Sequence, residues 1–343
     1  MKKIKIIAEM AWSHDGSYEK ASKLIRAAKK SGADYFGIHI TDMNSYMSIY
    51  YRNSPGKVSK GREKLNIYKY LEKINLKKND WIRLKKTAKK IKIKLCVMPN
   101  DENSLDFTIN KIKPEMYALS AASFTELNMI KKIAKQRKKT VLRIGGASLN
   151  EIKEVIKIFK RFKNKNYILL HGIQVYPTSH KEINLNQLNF FKNELNSRIG
   201  LADHIDGSED FAIFLPSLAI PFGIEYIEKH ITLNRNEKSE DYESALDPQS
   251  FKKMANIIKL SNYSLGKFRI SRHSNAEKKY RQISRKRTVA KFTILKGQKI
   301  TSENTIFKRS DSGIEPIKLN KFIGKKVKKD IPTDYPITKI DLV

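Results

Sequence analysis

The sequence predicts a (β/α)8 barrel followed by a small β-rich module, and three observations lead there. Eight short apolar runs alternate with helix-patterned amphipathic segments through the first three quarters of the chain. His204 and His230 each close one of these runs, 26 residues apart, which is the spacing of successive strand ends in a βα repeat. Near Ile283 the pattern changes to short β-like runs broken by turn signals. The expected boundaries are a barrel over 1–264, a linker over 265–283 and the module over 284–343.

The elements follow in order. KIKIIAEM (3–10) reads as the first strand, and YEKASKLIRAAKKSG as a helix with Gly32 at its C-terminal cap. YFGIHI (35–40) is the second strand. The interruption at 41–78, rich in tyrosine and charge, follows it and is expected over the mouth as a lid or substrate loop. Further strands are KLCVMP (94–99), MYALS (116–120), TVLRIG (140–145), YILLHG (167–172), IGLAD (199–203) and YIEKH (226–230). NEIKEVIKIFKRF is a helix between strands, DGSEDFAIFLPSLAIPFG reads as a turn and a helix, and PQSFKKMANIIKLSNY is the last helix. GKFRISRHSNAEKKYRQISRK looks like a polar linker. The module beyond it is expected to hold little core of its own and to dock elsewhere.

Composition bounds the function. The 343 residues carry 69 Lys and Arg against 35 Asp and Glu, a formal charge of +34. Such an excess suggests nucleic acid or an anionic surface, but it runs along the whole chain on outer helix faces and accompanies no binding motif. Heavy use of Lys, Ile and Asn is what an AT-rich genome encodes, so no nucleic-acid partner is expected. No apolar stretch is long enough to span a bilayer, and the start lacks a secretion signal. The single cysteine, Cys96, lies in an apolar strand and fits a reducing cytoplasm.

In a barrel the strand C-termini open onto one mouth. Two imidazoles in equivalent positions of adjacent strands are placed to hold a divalent metal through nitrogen; strand-capping histidines are the alternative. With these motifs the chain resembles the sialic acid synthase family: N-acetylneuraminate, legionaminate and pseudaminate synthases with a C-terminal antifreeze-like (SAF) domain. The stretches that carry the resemblance are IAEMAWSHDGS (7–17), SGAD (31–34), VMPND (97–101), LLHGIQVYPT (169–178), IGLADHIDGS (199–208), IEYIEKHITL (224–233) and DYESALDP (241–248), then KGQKIT and KRSDSGI.

The resemblance implies an enzyme of surface glycan biosynthesis. It condenses phosphoenolpyruvate with the open-chain aldehyde of an N-acylated sugar, using Mn²⁺ or a similar ion. It implies His204 and His230 as metal ligands, and Glu9 and Asp241 as acids near the metal and sugar. Tyr176 would sit beneath the sugar, with Gln174 as a further sugar contact. Arg309 would reach from the SAF domain into the partner's site in a domain-swapped homodimer. For Glu9 a salt bridge, for Tyr176 a core position and for Arg309 an exposed position are the alternatives.

The chain also departs from the family. Two lysines that hold phosphoenolpyruvate in the family fall at Gly37 and Ala118, and a Ser-Thr-Gly-Met segment becomes IGGA (144–147). Arg143, His39 and Lys229 are then the candidate anion contacts, and restoring Lys at 37 and 118 is expected to restore phosphoenolpyruvate binding. The alternatives are a metal-dependent lyase, aldolase or isomerase on a related sugar, or a non-catalytic relative.

Overall fold

The computed structural model describes residues 3–51, 66–266 and 273–343. The chain divides into two compact units after Gly266. In the first, eight parallel strands close a barrel in sequence order: β1 (Lys5–Glu9), β2 (Tyr35–Ile40), β3 (Lys94–Pro99), β4 (Met116–Ser120), β5 (Lys139–Arg143), β6 (Tyr167–His171), β7 (Ile199–Asp203) and β8 (Tyr226–His230). Every expected strand is present.

Strand side chains alternate between two faces, so each strand feeds two cores. Ile7, Tyr35, Cys96, Met116, Val141 and Tyr226 fill the barrel interior. Their outward neighbours, such as Ile6, Phe36, Leu95 and Leu142, meet the surrounding helices. The same period of two fixes what lies one layer nearer the C-terminal mouth: Glu9, Gly37, Met98, Ala118, Arg143 and Glu228.

Helix α1 (Tyr18–Lys30) starts with Ser17 accepting from the Lys20 amide. It ends as the glycine suggested, with Gly32 in the left-handed region (φ +96°) and the Ala33 amide returning to the Ala28 carbonyl. Two expectations about elements are corrected. The segment after β7 is helical, as expected, but broken into three short pieces, Asp210–Ile213, Leu215–Leu218 and Ile220–Phe222, in place of one regular helix. Pro216 and Pro221 each lack an amide donor and crowd the preceding turn, so a longer helix cannot propagate. The stretch read as linker contains α2 (Asn275–Ser284), opened by a reciprocal cap between Ser274 and Glu277.

Of the 41–78 interruption, a turn at Met43–Tyr46 and a helix at Ile67–Ile74 pack through Met43, Tyr68, Leu71 and Ile74 on Ala11 and Trp12. Its central part, 52–65, lies outside the described residues. In the second unit β9 (Lys286–Ala290) and β10 (Thr305–Arg309) pair antiparallel. The unit has a core of its own, with Ile294, Ile300, Val327, Ile331 and Ile337 buried together. The expectation of a module without much core is therefore wrong. Among the described residues no helix is long and apolar enough to cross a membrane.

Candidate active site at the barrel mouth

His230 is the last residue of β8 and His204 directly follows β7, so both imidazoles face the mouth. Their ring centroids are 5.3 Å apart. Tyr176 lies over both, 4.5 Å from the His204 ring and 5.4 Å from the His230 ring. His204 Nδ1 donates to the Ile173 carbonyl at 2.7 Å, which leaves Nε2 as a free lone pair. His230 Nδ1 is buried without a hydrogen-bond partner. Burial holds both rings neutral, with His204 lowered to about 4 and His230 further below its usual value.

Neutral, oriented imidazoles with an unsatisfied ring nitrogen suit a divalent ion. Among the described residues no third His, Cys, Asp or Glu completes a cluster with them, so the remaining positions around an ion would fall to water or substrate oxygens. Asp241 lines the same cavity. Its backbone is in the left-handed region (φ 62°), unusual for a residue with a side chain. Neighbouring bonds hold the segment there: Ser244 Oγ donates to the His204 carbonyl at 2.7 Å and Ser13 Oγ to the Glu240 carbonyl at 3.1 Å. Arg235 Nη1 donates to the carbonyls of Tyr242, Glu243 and Ala245.

Below the imidazoles the floor of the mouth is an ion network centred on Arg143. Nη2 donates to Glu9 Oε2 and, at 2.8 Å, to Glu228 Oε2. Nη1 contacts His39 Nε2 at 3.0 Å and Met98 Sδ at 3.1 Å. Glu9 also accepts from the Ala11 amide at 2.8 Å. Burial works to raise the Glu9 pKa, but Arg143 and His39 outweigh it and hold the carboxyl low. Glu228 is pushed up to about 7, by burial first and then by Glu9 despite Arg143. His39 is held at about 4 by burial.

Glu228 escaped the sequence reasoning, although its place two residues before His230 puts it on the same inward face. Lys229, read as a possible anion contact, points the other way. It is fully buried outside the barrel, with Nζ 2.8 Å from Asp203 Oδ2 and 3.3 Å from the Ile205 carbonyl. Gln174 is exposed and accepts from the Tyr176 hydroxyl at 2.7 Å. Arg309 is an exposed residue of β10, paired in register with Lys286.

Restoring lysines at 37 and 118 meets a structural obstacle. A Cβ on Gly37 would stand 2.2 Å from Glu9 Oε2, and Ala118 is fully buried in the inner core. The mouth cavity, about 350 Å³, is also lined by Trp12, Tyr46, Asn100 and Ser120. A larger one of about 450 Å³ opens at the opposite end, near Lys30, Asp34 and Lys252, and contains none of these groups.

The N,N'-diacetyllegionaminic acid synthase of Campylobacter jejuni is 31% identical over 97% of this chain and 98% of its own length. The same organism's pseudaminic acid synthase is 30% identical over 96% of this chain and 94% of its own. An uncharacterized protein of Methanocaldococcus jannaschii is 32% identical over 98% and 94%. In fold, the chain matches a spore coat polysaccharide biosynthesis protein E of Chromobacterium violaceum, with TM-score 0.78 and 22% identity over 99% of this chain and 100% of that one. A SAF-domain profile matches residues 288–343. With the NeuB family profile matching residues 24–269, the chain belongs to the NeuB family and is an enzyme of the sialic acid synthase type with a C-terminal SAF domain.

Proposed function

We propose that this enzyme makes a carbon–carbon bond at the open-chain aldehyde of an N-acylated sugar, forming a nonulosonic acid for surface glycans in the cytoplasm. The observation that carries the reading is the pair of neutral, oriented imidazoles beneath Tyr176 at the mouth of a NeuB-family barrel. His204 and His230 would hold a divalent ion such as Mn²⁺, whose chemistry when bound is to polarise the aldehyde oxygen. Tyr176 offers a flat face against which the sugar stacks. Asp241, which lines the same cavity, accepts a proton or orients a water. With phosphoenolpyruvate as donor, its methylene carbon bonds to the aldehyde carbon, water adds to the enol-ester carbon and phosphate leaves.

A second reading keeps the sugar and the metal but dispenses with phosphoenolpyruvate, as in an aldolase, lyase or isomerase. It is favoured by the engagement of Arg143 with Glu9 and Glu228. The test is metal analysis of the purified protein and of His204→Ala, with phosphate release assayed on N-acylated mannosamine-type sugars plus phosphoenolpyruvate. A protein that binds neither Mn²⁺ nor an N-acylated sugar sinks both readings. The proposal includes a homodimer in which each SAF domain covers the partner's mouth and delivers Arg309; the exposed position of that residue on β10 supports it.

A further inference from the structure

Arg235 stands behind the mouth, five residues after His230, and is not among the groups that line the cavity. Its Nη1 donates to three backbone carbonyls of one turn, those of Tyr242 at 2.7 Å, Glu243 at 3.1 Å and Ala245 at 2.5 Å. Carbonyl oxygens that converge on one point repel one another, and a cation between them holds them there. Nη2 reaches across to Asp206 Oδ1 at 3.1 Å, two residues after His204. Gly207 completes the junction. Its amide donates to the Glu243 carbonyl at 2.7 Å, and a Cβ on it would stand 2.2 Å from the Ala245 carbonyl oxygen and crowd Arg235 Nη1. The obstacle is backbone, so the two loops meet with no room for a side chain. The turn held in this way begins at Asp241, whose φ of 62° is in the left-handed region. Such a conformation persists where its surroundings over-determine it.

We propose that Arg235 is a positioning residue for the reaction: from outside the cavity it holds the Asp241 turn against the loop that follows His204, and so sets where the Asp241 carboxylate stands in the mouth. This rests on the mouth being the site of sugar chemistry, and goes further by naming the group that aims the acid. The division of labour follows from the elements. His204 and His230 are carried by the ends of β7 and β8, which the barrel's own hydrogen bonds fix in register. Asp241 is carried by a loop, and Arg235 closes that loop. A planar guanidinium fork serves the carbonyls with one nitrogen and Asp206 with the other, which a compact ammonium cannot do from one place. Without it the carbonyls part. The Gly207 amide and the Ser244 hydroxyl, which donates to the His204 carbonyl, remain as ties between the two loops, so the loss is local and the barrel stays folded.

The test compares the full-length protein with Arg235→Ala, Arg235→Lys, Gly207→Ala, Asp241→Asn and the double variant Arg235→Ala, Asp241→Asn, each checked for folding by its thermal transition. Hydrogen exchange, which needs no substrate, should quicken in Arg235→Ala at the amides of Gly207, Ser244 and Ala245 and stay unchanged in the barrel strands. Mn²⁺ affinity, followed by electron paramagnetic resonance, should be retained. Phosphate release from phosphoenolpyruvate and N-acylated mannosamine-type sugars should fall about a hundredfold in kcat. The double variant should be no slower than Asp241→Asn alone, because Arg235 acts through Asp241. Millimolar guanidinium should restore part of the rate in Arg235→Ala. Arg235→Lys and Gly207→Ala should fall between, and they carry the comparison if Arg235→Ala does not fold. Unchanged exchange at the turn, additive losses of rate, or a fall in Mn²⁺ affinity that matches the fall in turnover overturns the proposal. A parent protein without Mn²⁺ binding or turnover strikes the function proposed above, and the exchange measurement then decides whether Arg235 holds the turn.

Discussion

Arg143 shows how much of this site depends on single residues. Replacing it with Met would leave Glu9 and Glu228 buried together without their cation, and breaking such a network costs about 3–5 kcal/mol. Urea denaturation at pH 7 should show that loss. It should shrink toward pH 5, because carboxyls whose folded pKa is raised are stabilising below their unfolded value and lose that contribution as pH rises. The buried histidines act with the opposite sign. Burial depresses His14 to about 3 and His39 to about 4, so between pH 6.5 and those values the unfolded chain binds more protons. Their contribution is complete above pH 6.5 and falls as the medium is acidified. The melting temperature should drop from pH 7 to 4, and less steeply in His39→Asn; an identical slope would remove His39 from this account. The histidines of the mouth were legible because each terminates an apolar run. Glu228 and the orientation of Lys229 were missed because the residues of IEYIEKH were weighed by type and motif, whereas alternation along the strand decides which face each one serves.

At the level of elements, β7 and β8 are joined by the Asp203–Lys229 ion pair on the outside of the barrel, one residue before each imidazole. Asp203 Oδ1 also accepts from the Ile205 amide at 3.1 Å, so His204 is flanked on both sides by residues tied to Lys229. Lys229→Met alone should be strongly destabilising, by about 3–5 kcal/mol, because it leaves Asp203 buried and unpaired. The double variant Asp203→Leu, Lys229→Met should recover most of that stability while Mn²⁺ affinity stays reduced about tenfold or more. Full recovery of both would make the pair a matter of stability alone. All eight strands were readable because each is a short apolar run flanked by helix-patterned sequence. The breaks in the helix after β7 were not, since apolar spacing there outweighed Pro216 and Pro221, whose missing amides decide the outcome. The helix at Asn275–Ser284 carries a Ser-x-x-Glu start that its basic composition hid.

For the whole molecule, the second unit's core makes a prediction that the sequence reading would have denied. A fragment spanning 273–343 should unfold cooperatively on heating, with dispersion of amide resonances typical of a folded domain. A featureless melt would show that its apolar cluster needs the rest of the protein. That core was illegible because Ile300, Ile331 and Ile337 stand singly among polar residues and prolines, far apart in sequence, with no period of two or 3.6 to connect them. The proposed homodimer should give twice the monomer mass by light scattering, and monomer mass at working concentration would count against it.

The close approach of Glu9 to Gly37 also has a bearing on how this barrel can vary through descent. A side chain at 37 would claim the volume that the carboxylate end of Glu9 now fills, so residue 9 must turn aside when 37 changes. A lineage that acquires a side chain at 37 redirects residue 9, which in turn loosens its hold on the guanidinium at 143. Among relatives, the partner of the acid at 9 should therefore depend on what stands at 37.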